Sequence, residues 1–314
     1  MALESASQDT VLSKRGGIQF SERHLPVALL LPSVIVILLV VGFPMLYSLY
    51  LSFTDFTLAS AGGYSFVGLR NYIYLLTQDP LFWKVFARTV LFITLAVNIE
   101  FLLGLFIAQL MARIIRGQSL ARTLMMMPMM FAPILVGFQF KWFFNAQVGL
   151  VNNLIYTVTG ESHFIPWLIE KPLGFISILI AEIWMNTSFM VVILEAGILS
   201  LPEEPFEAAE VDGASGWQKL RHLTLPMLMP FIYTAMAIRS LDIARAYDVV
   251  SIMTGGGPAN RTELIWTYVN RLAFTGKQFA LGSAMSYITV LFSFFFTWYL
   301  FRNVIKSHWA GGAE

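Results

Sequence analysis

Six stretches of this chain are apolar for about the thickness of a bilayer. They cover residues 25–53, 88–112, 123–144, 173–200, 227–249 and 281–303. Lipid offers no hydrogen-bond partner to backbone N–H and C=O groups, so a crossing segment must satisfy them internally, which a helix of about 20 residues does. The pattern predicts an all-α integral membrane protein with six transmembrane helices. The first run carries Pro26, Pro32 and Pro44, which predict a tilt or kink there. Lys14 and Arg15 precede it as they would in a secretory signal, but the run is long enough to cross and no A-x-A site follows, so it reads as an uncleaved first span.

Composition narrows the function classes. Only 12% of residues are charged, against about 25% in a soluble domain. A net charge of +1 gives no basic field for nucleic acid. The absence of cysteine excludes disulfides, thiolate metal sites and a cysteine nucleophile, and His24, His163, His222 and His308 form no local ligand pair. Met125, Met126, Met127, Met129 and Met130, without cysteine or histidine beside them, read as a pliable packing surface rather than a Cu(I) site. No G-x-x-x-x-G-K-[ST] occurs, so ATP hydrolysis is not expected of this chain, and no nucleophile, base and orienting acid stand at a recognisable spacing.

Lysine and arginine placement predicts orientation. With a cytoplasmic N-terminus, ten lie on the cytoplasmic side (Lys14, Arg15, Arg23, Arg113, Arg116, Arg122, Lys219, Arg221, Arg302 and Lys306) and seven lie outside. The short 113–122 connection, with three arginines and no acid, is the most persuasive segment. Residues 1–24 and 304–314 are then cytoplasmic tails. The outer loops are rich in aromatic and turn residues, including Tyr64, Phe66, Tyr72, Tyr74 and Trp167, and read either as a docking rim or as rings settled at headgroup level.

Between the fourth and fifth runs lies the polar stretch EAAEVDGASGWQKLRHLTLP, residues 207–226. Ser200 and Glu203 are spaced as a capping box for a helix starting near Leu201, and Glu203, Glu204, Glu207 and Glu210 lie toward its N-terminal end. Gly213 permits a helix end at positive φ, and a second short helix is predicted from about Ser215 to His222. Ala208, Ala209, Gly213 and Ala214 give the unit a small-residue surface that another backbone can approach closely. On physical grounds it is either a docking element or an interfacial connector.

Glu207-Ala208-Ala209, Gly213 four residues on, then Leu223, Leu225 and Pro226, resemble the EAA loop of permease subunits of binding-protein-dependent ABC importers. Tyr247-Asp248, Thr254-Gly255-Gly256-Gly257-Pro258, Thr262 and Ala273-Phe274 are similar to the YD…LTGGGP…T…AF pattern of the maltose-permease-like carbohydrate branch, with Met253 in place of the usual Leu. The resemblance covers residues 85–303 and implies a type I ABC importer permease fold. It also implies that residues 201–226 form a coupling helix unit for a cytoplasmic ATPase, through Glu207, Ala208, Ala209, Asp212, Gly213, Ala214, Leu225 and Pro226. Implied partners are a second permease chain, two ATPase copies, an external solute-binding protein and a carbohydrate solute, in a bacterial inner membrane. ATP and Mg would be bound by the ATPase, and this chain would need no cofactor.

Charged residues inside spans are costly and rarely face lipid. Arg239, Asp242, Arg245 and Asp248 recur every third residue with alternating sign, as a self-neutralising ladder or as solute contacts. Glu182, Asn186 and Phe189 form one stripe of carboxylate, amide and ring, a combination that suits a sugar. By position, the resemblance implies solute contacts at Glu182, Met185, Asn186, Phe189, Arg239 and Ile243, with Asp242 beside them. Asn98 and Glu100 read as structural hydrogen-bonding groups. Two rivals remain open on residues alone: a secondary transporter with Glu100, Glu182 or Asp242 as proton relay, and a membrane enzyme using Glu182 and Asp242 as acid and base.

Overall fold

A computed structural model describes residues 25–310 except 60–62, 115 and 162–163. The 1–24 tail with Lys14, Arg15, Arg23 and His24, the end of the C-terminal tail and His163 lie outside the described residues. The chain divides into two units, residues 1–50 and 51–314.

In the first unit α1 (Leu25–Ile37) passes through a π-type turn (Leu38–Gly42) into α2 (Phe43–Ser52), which ends just inside the second unit. Leu29–Ser52 is long and apolar enough to cross a membrane. Pro32 is accommodated inside α1, and the π-type turn precedes Pro44, whose missing N–H cannot close an ordinary helical bond.

The second unit begins with the end of α2, a short hairpin bridged between Thr54 and Phe66, then α3 (Arg70–Ile73). Asn71 fastens this region by donating to the carbonyls of Ser52 and Thr54 at 2.9 and 2.7 Å. The long helices α4 (Phe82–Ala112) and α8 (Leu173–Leu199) each suffice to cross a membrane. They run parallel, Phe92 meeting Phe175 with ring centroids 5.6 Å apart and Gly104 meeting Met190 further along. A Cβ at Gly104 would lie 2.5 Å from the Met190 Cβ, so only glycine permits this approach.

The third apolar run departs from the sequence expectation. It forms α5 (Gln118–Met130) and α6 (Pro133–Phe143), which meet at 88° rather than making one straight span. Phe131 and Ala132 are extended, and Pro133, which has no N–H to continue the ladder, restarts the helix at its first position. After α6 come the short helix α7 (Leu150–Thr159), then α8.

Beyond α8 lie α9 (Glu204–Val211) and α10 (Gly216–Lys219), which passes through a π-type turn (Leu220–Thr224) into α11 (Leu225–Ile243). α11 runs back antiparallel along α8: a Cβ at Gly197 would press on Leu228 and Phe231 near one end, and Arg239 reaches Glu182 further along. α11 ends six residues before the predicted fifth span does. Its end is fixed by Trp266, whose indole N–H takes the Ala244 carbonyl at 2.8 Å. Then follow α12 (Asp248–Met253), α13 (Ile265–Asn270) and α14 (Phe279–Ala310).

The main apolar core gathers Phe92, Ala96, Val136, Met190, Leu194 and Leu228 from α4, α6, α8 and α11. A smaller one joins Leu75, Phe82, Val85, Ile265, Tyr268 and Met285. Between α12 and α13 the Gly255-Gly256-Gly257-Pro258 loop is closed by a 2.7 Å Thr254–Thr262 hydroxyl bond, and Arg88 of α4 donates to the carbonyls of Asn260 and Glu263 at 2.7 and 2.9 Å. Gly255 and Gly256 take positive φ of 60° and 81°, which a side chain would strain.

Candidate functional site

Two polar features stand out from the apolar bundle. One is the surface unit formed by α9 and α10, and the other is a buried charge cluster between α4, α8 and α11.

The surface unit is a helix, a left-handed turn and a helix. Gly213 sits at φ 75°; its N–H goes to Glu210 O at 3.0 Å and that of Ala214 to Ala209 O at 2.8 Å, a Schellman end for α9. Ser215 then caps α10 in a capping box with Gln218. Lys219 reaches back to Glu210 at 2.6 Å and holds the two helices in a fixed elbow. Glu210 is held below the usual glutamate range first by that hydrogen bond and then by the Lys219 charge. The capping box expected at Ser200 and Glu203 does not form: the Ser200 hydroxyl turns back to Gly197 O at 2.7 Å, and α9 starts at Glu204 with no side-chain cap.

Glu207, Ala208, Asp212 and Gly213 are exposed, Ala209, Ala214 and Leu225 half-buried, and Pro226 stands at the start of α11 on the exposed side. Two apolar side chains that sequence reasoning left out stand out from the same unit, Val211 at 89% and Trp217 at 67% exposure. Their signal was the isolated apolar position in a polar stretch.

Near the base of this unit, Arg122 of α5 makes a two-point contact with Glu195 of α8 at 2.7 and 3.2 Å, and Gln118 adds a bond at 3.3 Å. Glu195 is buried one turn before α8 ends. The arginine-bearing 113–122 connection and the α9–α10 elbow therefore share one end of the bundle.

In the bundle interior, Arg239 is 2% exposed and Glu100 fully buried. Arg239 Nε and Nη2 donate to the two Glu100 oxygens at 2.7 and 3.1 Å, Nη2 also to Glu182, and Nη1 to Asp242 at 2.8 Å. Asn186 donates to the Glu182 carboxylate at 3.0 Å and to its backbone carbonyl at 3.1 Å. The structure thus brings Glu182, Asn186, Arg239 and Asp242 together with Glu100. Phe189 is half-buried one turn further along α8, and Met185 and Ile243 pack into the apolar core.

The alternating ladder does not extend as the spacing suggested. Because α11 ends at Ile243, Asp248 opens a separate helix and is exposed, and Arg245 comes only within 3.9 Å of Asp242. Asn98 is exposed and bonds its own helix at Thr94 O, whereas Glu100 is the central acceptor of the cluster. No spacing rule links Glu100 to Arg239, which lie 139 positions apart. The one signal was a carboxylate in a span, which needs a partner.

Residues 100–304 match the family described as binding-protein-dependent transport system inner membrane component. The trehalose transport system permease SugA of Mycobacterium tuberculosis is 34% identical over 278 residues, covering 88% of this chain and 87% of that one. The trehalose/maltose permease MalF of Thermococcus litoralis is 31% identical over 284 residues, covering 89% and 93%. Among solved structures, a bacterial ABC transporter importing the acidic polysaccharide alginate has a chain that superposes with a TM-score of 0.77 at 21% identity, covering 90% of this chain and 96% of that one, a likeness of fold. The all-α permease fold, the elbow between two antiparallel helices and the family match agree: this chain belongs to the family of binding-protein-dependent transport system inner membrane components.

Proposed function

We propose that the chain is a permease subunit of an ATP-driven importer for a carbohydrate or carbohydrate-like solute, moving it by alternating access. The observation that carries this reading is the α9–α10 elbow, which bears the EAA residues, is joined to α8 by the four residues 200–203 and runs through the π-type turn into α11. A push on it is delivered directly to the two helices that hold Glu182 and Arg239. The sugar permeases among the relatives support the solute class.

In this reading the elbow is cytoplasmic and docks in an ATPase through Glu207, Ala208, Ala209, Asp212, Gly213 and Ala214, with Leu225-Pro226 fixing its exit. The arginines at the same end of the bundle favour that side. A second permease chain completes the pathway, and an external binding protein delivers the solute. The partner ATPases bind ATP and Mg. Glu182, Met185, Asn186, Phe189, Arg239, Asp242 and Ile243 form this chain's share of the solute route, of which Asp242, Asn186 and Phe189 are the more accessible members. Differential stabilisation of inward- and outward-facing states is the work of the chain.

The test is ATP-dependent uptake by proteoliposomes that carry the chain with its cognate permease, ATPase and binding protein. Gly213→Pro should abolish uptake while leaving the chain inserted. Uptake driven by an ion gradient without ATP would contradict the reading.

A further inference from the structure

The buried charge cluster carries a further conclusion, which rests on the solute route proposed above. Every guanidinium nitrogen of Arg239 is committed to a carboxylate: Nε and Nη2 to Glu100, Nη2 also to Glu182, and Nη1 to Asp242. Of the carboxylates that Arg239 contacts, the one that reaches open space is Asp242, whose side chain is 60% exposed. Arg245, 72% exposed, approaches it to 3.9 Å. In formal charge, Glu100, Glu182 and Asp242 stand against Arg239 and Arg245, three negatives against two positives.

We propose that Glu100 is a positioning residue that sets the charge selectivity of the route. It withholds Arg239 from the solute and leaves the Asp242 carboxylate as the group presented, so that the route accepts neutral polyhydroxylated solutes and turns away anionic ones. A carboxylate accepts hydrogen bonds from sugar hydroxyls, and charge-assisted bonds of this kind are the strong ones. The same carboxylate repels an anion that approaches it across the open space it faces. Glu100 touches no part of the open route. Its effect passes through Arg239: without its charge, two negatives face two positives, and the guanidinium edge it held is released.

Saturation-transfer NMR on the purified full-length chain in lipid nanodiscs tests this. The probes are methyl glucoside and methyl glucuronide, which differ only at C6, a hydroxymethyl carbon in the first and a carboxylate carbon in the second. The wild type should transfer saturation to the glucoside about tenfold more strongly than to the glucuronide. Glu100→Gln should bring the two close to parity, and Glu100→Asp, which keeps the charge, should preserve the discrimination. Asp242→Asn, at a side chain that is 60% exposed, should also reduce it, and full discrimination in that variant would overturn the proposal even if Glu100→Gln does not insert. Equal transfer to both sugars in the wild type, transfer to neither, or wild-type discrimination in folded Glu100→Gln would each overturn the proposal. No ATPase enters this measurement, so its failure is separate from a failure of ATP coupling.

Discussion

Arg239 of α11 grips Glu100 of α4 by two hydrogen bonds of 2.7 and 3.1 Å, across 139 positions of sequence, with both side chains out of contact with solvent. A third helix, α8, joins through Glu182. A buried ion pair adds little net stability over an apolar replacement of the same shape, but removing one partner leaves the other charge stranded. Arg239→Met should therefore cost about 3–5 kcal/mol, read as lowered thermal stability in detergent. Adding Glu100→Gln and Glu182→Gln to that variant should recover much of the loss. A single variant that melts with the wild type would contradict the brace.

The parallel packing of α4 on α8 depends on Gly104, where a Cβ would fall 2.5 Å from that of Met190. Gly104→Val should force the helices apart at a cost of about 1–3 kcal/mol, seen as reduced thermal stability. Gly216→Ala is the control, because nothing lies within 4 Å of a Cβ there.

The elbow between α9 and α10 should depend on pH through Glu210. Its carboxyl is held below the usual range by Lys219, so the pair stabilises the elbow above the ordinary glutamate value and is lost as pH falls through the lowered value. A carboxyl NMR titration should place Glu210 below an ordinary glutamate, and Lys219→Met should raise it to the ordinary range. An unchanged titration in that variant would show that Lys219 is not the cause.

The long apolar helices α4 and α8 and the helix-turn-helix form of the EAA elbow were legible in the sequence because apolar length and a motif at fixed spacing are local signals. The Gly213 turn was legible for the same reason: positive φ favours glycine. What was hidden depended on contacts between distant elements. The end of α11 is set by Trp266, which lies beyond the span it terminates. The bend between α5 and α6 needed Phe131 and Ala132 to turn extended ahead of Pro133, which hydropathy alone does not register. Ser200 resembled a cap by spacing but serves its own helix end. Glu100 looked like a lone structural acid until α11 brought Arg239 to it.

Val211 and Trp217 are exposed apolar side chains on an otherwise polar unit. Buried aromatic anchors carry much of the energy of protein interfaces, and truncating one typically costs about 2 kcal/mol or more. Trp217→Ala should weaken co-purification of the ATPase with the permease while leaving the chain's thermal stability within about 0.5 kcal/mol. Full retention of the ATPase would remove Trp217 from the docking surface.

The central claim is that the α9–α10 elbow is where an ATPase meets this chain. The chain has no native cysteine, so a single Ala208→Cys variant gives one reactive thiol on the elbow. In membranes that hold the assembled transporter, a short thiol-to-amine cross-linker should join this position to the ATPase, and ATP should change the yield. A thiol that reacts freely with a small reagent yet gives no ATPase adduct, with or without ATP, would contradict the account.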